Sequence, residues 1–187
     1  MTLISSVSGI RGTLGGKTGD NLTPIDVVRF ASAYGSWLLQ NHKKATVVVG
    51  RDARPSGPMI QNLVQQTLVS LGIDVIDLGL STTPTVEIAV PLEKADGGII
   101  LTASHNPKQW NALKLLNEKG EFLDAEQGAK ILALAEKEDF EFAEVDDLGE
   151  IIKNDSYIDI HIDEVLELPL VDAETIKKAG FKVVVDG

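Results

Sequence analysis

Helix-like and strand-like segments alternate through the first hundred residues, and this alternation constrains the fold more than any other feature. Helices are predicted over residues 24–40, 58–71 and 84–90, and strands over residues 45–49, 73–78 and 98–101. Pro24 and Pro58 occupy first-turn positions of their helices, and Gly72 ends the second helix. Such alternation favours a mostly parallel or mixed sheet with helices on both faces. The chain is therefore predicted to be a three-layer α/β protein.

The segment after the third strand has a different pattern. Residues 113–117 and 121–123 flank Glu118-Lys119-Gly120, a sequence that is typical of a β-hairpin with glycine in its turn. Asp124 is expected to cap a helix that ends near Lys137. The acidic residues 138–150 are predicted to form a surface excursion.

The C-terminal part of the chain carries three further predictions. Residues 157–168 are expected to form a helix that bridges domains, with four aliphatic residues on one side: Ile158, Ile162, Val165 and Leu166. Residues 182–185 have a strand pattern, and a βαβ unit cut at this point implies that the natural protein continues past Gly187. The predicted domains are residues 1–150, followed by a linker helix and the first strand of a truncated second domain over residues 151–187.

Composition argues against several classes of function. The 187 residues include no cysteine, which excludes disulfides, thiolate zinc sites and cysteine nucleophiles and makes the cytoplasm the expected compartment. No stretch resembles a signal peptide or a bilayer-spanning helix. The formal net charge of -11 argues against nucleic acid and against an anionic membrane as partners.

Three of the four arginines lie in short glycine-flanked segments outside the predicted helices: Arg11, Arg51 and Arg54. Screening confines the field of exposed charges to roughly 8 Å at physiological salt, so a few arginines in a cleft can bind a phosphorylated ligand despite the acidic average. Their placement predicts an anion site.

Two loops follow the predicted parallel strands, at residues 50–57 and 102–107. In open α/β sheets, ligands bind outside the carboxyl ends of the strands, which makes both loops candidate sites. The second loop presents a hydroxyl, a titratable ring and an amide together, in Ser104, His105 and Asn106. No Gly-x-Ser-x-Gly elbow surrounds Ser104, so a hydrolase nucleophile is the weaker interpretation.

The run Leu-Thr-Ala-Ser-His-Asn-Pro at residues 101–107 resembles the active-serine motif of the α-D-phosphohexomutases. This group contains phosphoglucomutases, phosphomannomutases and phosphoglucosamine mutases. Three other segments resemble the same family in the same order: Ser-Gly-Ile-Arg-Gly at residues 8–12, Gly-Arg-Asp-Ala-Arg at residues 50–54 and Asn-Ala-Leu-Lys at residues 111–114. The resemblance implies that this chain is the first of four domains plus the opening strand of the second, with a β-hairpin after the active-serine loop.

The resemblance also assigns roles to residues. Ser104 would be the phosphorylated serine, Arg11 would lie near the transferring phosphoryl group, and His105 and Lys114 would lie beside the reacting hydroxyl. Lys114 is the preferred general base, with His105 left open, and Asn106 would shape the loop. Three more residues are assigned to phosphate binding or loop support: Thr102, Arg51 and Arg54. A structural ion-pair knot of Arg51, Asp52 and Arg54 is the alternative for that loop.

The implied activity is that of an isomerase, an intramolecular phosphotransferase acting on glucose or mannose phosphate. Phosphorylated Ser104 would donate to a hexose 1-phosphate, and the resulting hexose 1,6-bisphosphate, which also serves as activator, would return its other phosphate. Mg²⁺ would bind through the phosphate on Ser104. The family's aspartate-rich metal loop and sugar-binding domains are absent from this sequence, so it is expected to need the remaining domains of its own chain for turnover.

Other interpretations remain open at this point. A phosphoglucosamine mutase is the closest alternative, because the residues that select the sugar lie in the missing domains. A noncatalytic phosphate-binding scaffold belongs to another class, and a phosphatase would lose the phosphoserine to water. Where many relatives have an aromatic residue, asparagine and glycine before the lysine, this chain has Trp110-Asn111-Ala112, which is expected to alter the turn that delivers Lys114.

Overall fold

A computed structural model describes residues 1–6 and 9–186, and it contains the alternation expected from the sequence. The strands are β1 (Ile4–Ser6), β2 (Gly9–Thr13), β3 (Thr46–Arg51), β4 (Asp74–Leu80), β5 (Gly97–Leu101), β6 (Trp110–Leu116) and β7 (Ile151–Lys153). The helices are α1 (Pro24–Leu39), α2 (Gly57–Ser70), α3 (Thr83–Leu92), α4 (Ala125–Lys137), α5 (Tyr157–Leu166) and α6 (Ala173–Ala179). A 3-10 turn covers Val145–Asp147.

The strands form one mixed sheet in the order β1-β2-β6-β5-β3-β4-β7. The half that contains β5, β3, β4 and β7 is parallel. β6 is antiparallel to both of its neighbours, β5 and β2, and β1 is antiparallel to β2. The parallel half corresponds to the alternating strands and helices of the sequence, and the prediction of an α/β fold with a mixed sheet is confirmed.

The apolar core is divided by the sheet into two parts. Val47 and Val49 of β3 belong to the larger part, which also contains the buried faces of α1, α2 and α4. Val48 lies between them in sequence and belongs to the smaller part, with α3 and the first residue of α5. Successive residues of a strand point to opposite faces, so a continuous apolar run is what a strand covered on both sides requires. The predicted three layers are therefore present.

Side-chain caps define the beginning of two helices. The Thr23 backbone N–H donates to the Asp26 carboxylate at 3.1 Å, and the Asp26 N–H donates to the Thr23 hydroxyl at 3.4 Å, which completes a capping box for α1. Asp124 forms the corresponding box with Gln127 at the start of α4. The predicted cap at Asp124 and the helix end at Lys137 are both confirmed.

The predicted hairpin is only partly present. The Gly120 N–H donates to the Asn117 carbonyl oxygen at 3.0 Å in the expected turn, and the second arm pairs with β6 through a bridge between Leu116 and Phe122 and two backbone hydrogen bonds, from Asn117 N–H to Glu121 at 2.8 Å and from Leu123 N–H to Leu115 at 3.4 Å. The arm is short, because β2 pairs with β6 as far as Leu113 and blocks further pairing along that edge. β6 also begins at Trp110, which makes Trp110 to Ala112 strand residues and not part of a turn.

Of the C-terminal predictions, the helix is present and the strand is wrong, while the division into domains stays a prediction. Residues 182–185 are not a strand: no neighbouring strand is available to them, and Val184 is 93% exposed. The helix α5 forms, but its predicted apolar side faces solvent, because Tyr157 packs against α3 and its hydroxyl donates to Glu93 at 2.6 Å. β7 pairs with β4, so the sheet continues three residues past the predicted boundary at residue 150. Residue 187 lies outside the described residues.

Within the described part of the chain, every helix is too short or too polar to cross a lipid bilayer.

Alkaline pH is expected to destabilise the fold through Tyr34. This side chain is fully buried and its hydroxyl donates to the carbonyl oxygens of Leu116 at 2.7 Å and Gly98 at 3.3 Å. Burial raises the pKa of Tyr34 above its ordinary value, whereas in the unfolded chain the phenol ionises near pH 10. Above about pH 10 the unfolded state therefore binds fewer protons than the folded state, so the free energy of unfolding falls by roughly 1.4 kcal/mol per pH unit.

The measurement is urea unfolding between pH 8 and about pH 11, with Tyr34→Phe as the matched control. The phenylalanine variant is less stable at neutral pH but should lose less stability as the pH rises. Equal slopes in the two proteins would show that Tyr34 ionises in the same way in the folded and unfolded chains.

Candidate active site

A cavity of about 370 Å³ lies at the carboxyl end of β5. Six of the eight predicted site residues line it: Arg11, Thr102, Ser104, His105, Asn106 and Lys114. Arg51 and Arg54 do not line it. The loops after β3 and β5 are adjacent, because these two strands are neighbours in the sheet and run in the same direction.

The antiparallel pair of β2 and β6 contributes the two cations. Arg11 lies opposite Ala112, so it projects from the same face of the sheet as Lys114, two residues further along β6. Gly9 allows the strands to approach, since a Cβ at this position would overlap with the Leu113 carbonyl oxygen, and its φ is 124°. Ser8, the first residue of that motif, lies outside the described residues. The glycine at position 9, two residues before Arg11, thus has a steric reason.

Ser104 adopts an unusual backbone conformation. Its φ is 55°, one of three positive values among the described non-glycine residues, and its side chain is exposed in the cavity. The Ser104 N–H donates to the Thr102 hydroxyl at 3.0 Å. A left-handed conformation costs an ordinary L-residue roughly 1–2 kcal/mol, and such strain persists only where the surrounding structure enforces it. The strained residue is the one that the sequence singled out as the phosphate carrier.

Arg54 holds the serine loop through all five of its guanidinium N–H groups. Nε donates to Asp52 at 3.0 Å. The two terminal nitrogens donate to four carbonyl oxygens of the loop, those of Ser104, Asn106, Pro107 and Trp110, at 2.6 to 3.1 Å. An arginine has five donors, so none remains for a phosphate. Of the two roles predicted for Arg54, the geometry favours loop support.

Arg51 also donates to protein groups, through two of its three guanidinium nitrogens. Its Nε donates to the Gln61 side-chain oxygen at 2.7 Å, and one terminal nitrogen donates to the Asp52 carbonyl oxygen at 3.1 Å. Gln61 in turn donates to Asp77, whose carboxylate also accepts the Gly79 N–H at 2.8 Å. This network ties the carboxyl ends of β3 and β4 to α2, as expected for a structural knot.

The cavity is cationic although the chain is acidic. The side chains of Arg11 and His105 have no hydrogen bond or ion pair with any residue in the ranges 1–6 and 9–186. Lys114 Nζ lies 5.7 Å from the centroid of the Phe122 ring, and Lys114 forms no salt bridge with the described residues. No aspartate or glutamate is among the described residues that line the cavity. An anion that enters would therefore meet two positive groups that carry no competing carboxylate.

The cavity does not by itself fit the implied Mg²⁺ ion. Among the described residues, no three histidine, cysteine, aspartate or glutamate side chains lie close enough together to hold a metal. Mg²⁺ prefers carboxylate and phosphate oxygens, and the cavity lining supplies no carboxylate.

Two contributors to the site were not predicted as site residues. Asp52 was considered only as a member of an ion-pair knot, yet it accepts hydrogen bonds from Thr102 and Arg54 directly behind the serine loop. Phe122 was assigned to a hairpin arm, but it lies beneath Lys114 as part of the cavity wall. The clustering of Arg51, Asp52 and Arg54 was the available signal for Asp52, whereas nothing in the sequence indicated Phe122.

Comparison with known proteins agrees with this fold. A family model described as phosphoglucomutase/phosphomannomutase, alpha/beta/alpha domain I, matches residues 3–142. The chain belongs to this family. A phosphoglucomutase/phosphomannomutase from Thermococcus kodakarensis is 39% identical over 178 residues, which cover 94% of this chain and 38% of that protein. The resemblance recognised in the sequence is thereby confirmed.

Two further relatives illustrate the breadth of the similarity. A phosphoglucosamine/phosphogalactosamine mutase from Sulfurisphaera tokodaii is 33% identical over 187 residues, which cover 100% of this chain and 39% of that protein. The solved structure of a phosphoglucomutase/phosphomannomutase family protein from Burkholderia thailandensis matches with a TM-score of 0.69 at 25% identity, covering 87% of this chain and 36% of the other. The chain thus spans about two fifths of the length of the curated relatives it matches.

Proposed function

We propose that this chain supplies the phosphoserine of a phosphohexomutase, with Ser104 as the carrier of a phosphoryl group that moves between the 1- and 6-oxygens of glucose or mannose phosphate. One observation carries the proposal: an exposed serine in a strained turn lines a cavity with two cations and no carboxylate among its described residues. Family membership supports the same chemistry, because the relative from Thermococcus kodakarensis is named a phosphoglucomutase/phosphomannomutase.

The first half-reaction is a phosphoryl transfer from Ser104 to the sugar. The bond between phosphorus and the serine Oγ breaks, a bond to the free sugar hydroxyl oxygen forms, the hydroxyl proton passes to a nitrogen base, and the released serine Oγ takes up a proton. Lys114 is the preferred base and His105 the alternative, since both line the cavity. Arg11 binds the phosphoryl oxygens, where charge-assisted hydrogen bonds are roughly twice as strong as neutral ones. The second half-reaction reverses these steps with the other phosphate of the hexose 1,6-bisphosphate.

The proposal also includes Mg²⁺, a priming bisphosphate and further domains of the full protein. Mg²⁺ supplies positive charge to phosphoryl transfer when it is bound, and the phosphate on Ser104 is the ligand that this chain would contribute. A hexose 1,6-bisphosphate primes the serine, and the sugar is held by further domains of the full protein. Residues 1–187 alone are therefore predicted to have no mutase turnover. The cytoplasm remains the expected compartment.

The direct test of the proposal is phosphorylation of Ser104. The full-length protein that contains this chain is incubated with glucose 1,6-bisphosphate or mannose 1,6-bisphosphate in the presence of Mg²⁺, and uptake of one phosphoryl group is followed by intact mass and peptide mapping. Modification confined to the peptide that contains Ser104 supports the proposal. A chain that stays unmodified, or is modified elsewhere, sinks it and favours the scaffold interpretation.

An amino sugar is the second candidate substrate. The relative from Sulfurisphaera tokodaii that is named a phosphoglucosamine/phosphogalactosamine mutase aligns with the whole chain at 33% identity. Glucosamine 1,6-bisphosphate is therefore offered in parallel in the same experiment. Faster labelling of Ser104 from this donor than from the glucose and mannose donors would shift the substrate class to amino sugars.

Replacing Arg11 with glutamine is expected to weaken anion binding in the cavity by about tenfold or more, because it removes one charge-assisted contact. The affinity for inorganic phosphate is measured by NMR titration of the Ser104 and Lys114 amide signals. Lys43→Gln is the matched control, because it removes the same charge from the loop between α1 and β3, outside this cavity. Equal losses of phosphate affinity in the two variants would mean that the net charge of the protein, and not the position of Arg11, determines phosphate binding.

A further inference from the structure

We propose that Asp52 is a positioning residue that sets the backbone conformation of Ser104 through a closed ring of hydrogen bonds. The conformation of Ser104 does not depend on the proposed function, but its consequence for catalysis does. Asp52 does not line the cavity, so it would act on the serine only through other residues.

The first half of the ring reaches the N–H of Ser104. The Thr102 hydroxyl donates to Asp52 Oδ2 at 2.6 Å and accepts the Ser104 N–H at 3.0 Å. Because a hydroxyl has a single proton, its donation to the carboxylate leaves its lone pairs for the amide. Asp52 therefore determines the direction in which the Thr102 hydroxyl accepts.

The second half of the ring reaches the carbonyl group of Ser104. Arg54 Nε donates to the same Oδ2 atom of Asp52 at 3.0 Å, and the Arg54 backbone N–H donates to Oδ1 at 3.1 Å. A terminal nitrogen of Arg54 then donates to the Ser104 carbonyl oxygen at 2.6 Å. Both hydrogen-bonding groups of the Ser104 backbone thus lead back to one carboxylate.

The ring is partly shielded from water, although its link from Arg54 to the Ser104 carbonyl oxygen is exposed. Thr102 is 8% exposed, and the side chains of Arg54 and Asp52 are 10% and 29% exposed. The position of Asp52 is itself fixed, because its N–H donates to the Leu101 carbonyl oxygen at 3.1 Å and so joins the ends of β3 and β5. A rigid anchor of this kind can hold Ser104 at a positive φ that the free chain would avoid.

The test measures the backbone of Ser104 in the 187-residue chain. Asp52→Asn and Thr102→Val, which removes the hydroxyl at nearly constant shape, are both expected to speed hydrogen exchange of the Ser104 amide by about five- to tenfold, which corresponds to the loss of one net hydrogen bond. Thr102→Ser retains the hydroxyl and should restore the parental rate. Asp74→Asn is the control, because it removes the same charge at the other end of the parallel strands.

The three-bond coupling between the Ser104 amide and α protons reports φ directly and should change in the two disrupting variants alone. Parental exchange rates and couplings in Asp52→Asn or in Thr102→Val would overturn the proposal. Phosphoryl uptake from the hexose 1,6-bisphosphate is the second readout and should slow in the same two variants. Failure of the full-length parent protein to take up phosphate would refute the proposed function alone, since the exchange and coupling results do not depend on it.

Discussion

Ser104→Gly is expected to abolish phosphoryl uptake from a hexose 1,6-bisphosphate while leaving the fold at least as stable as the parent. Glycine lacks the hydroxyl that would form the phosphoester, but it adopts a φ of 55° without steric cost. Relief of that strain offsets the conformational entropy that glycine loses on folding. Intact mass measures the phosphoryl group, and urea unfolding measures stability.

Two companion variants separate chemistry from strain. Ser104→Ala should also fail to take up phosphate but should be less stable than Ser104→Gly, because alanine retains the Cβ that disfavours the left-handed conformation. Ser5→Ala removes an exposed serine hydroxyl from β1, outside the cavity, and should be labelled like the parent. Undiminished phosphorylation of Ser104→Gly would assign the carrier role to another residue.

Gly97→Ala is expected to destabilise the fold by about 3 kcal/mol or more, the largest effect on stability that we predict. A Cβ at this position would overlap with the Tyr34 hydroxyl and would come within 3.0 Å of the Leu116 carbonyl oxygen. Tyr34 cannot move away without breaking its hydrogen bond to that same oxygen, because it is fully buried. Chemical unfolding measures the change. Gly79→Ala, where a Cβ meets open space but φ is 62°, should cost less, roughly 1–2 kcal/mol for the left-handed conformation.

A double-mutant cycle tests the cause of this effect. Tyr34→Phe removes the oxygen that the new methyl group would meet, although alone it leaves two carbonyl groups without their donor, at a cost of about 1–3 kcal/mol. The double variant Gly97→Ala/Tyr34→Phe is therefore expected to be more stable than the sum of the two single effects by at least about 1 kcal/mol. Strict additivity would show that the overlap with Tyr34 is not what makes glycine necessary.

Local sequence patterns were sufficient to predict the parallel half of the sheet and the helices that cover it. The run at residues 45–49, the proline at position 24 and the capping residue Asp124 each carry a signal within a few residues of the structure they predict. The two candidate loops were also predictable, because the direction of parallel strands places their carboxyl ends at one edge. The family's motifs then indicated which side chains to examine there.

The remaining features depend on partners that are distant in the sequence. Residues 121–123 have strand-like composition, but they pair with β6 only beside residues 115–117, because β2 takes the same edge up to Leu113. Residues 182–185 have a strand pattern, but they join no strand edge in the described part of the chain. The link from Asp52 to Thr102 spans fifty residues, and a hydrogen bond between side chains leaves no periodic trace in a sequence.

The pairing of β2 with β6 also determines when the site can form during synthesis of the chain. Ile10 lies opposite Leu113, so roughly a hundred residues must be synthesised before the N-terminal strand can meet its partner. At the usual elongation rates of about 5–20 residues per second, that strand waits roughly 5–20 s on the ribosome. A nascent chain that has emerged only as far as the serine loop therefore holds Ser104 without Arg11 and Lys114 beside it, and the ability to attract phosphate is acquired late in its synthesis.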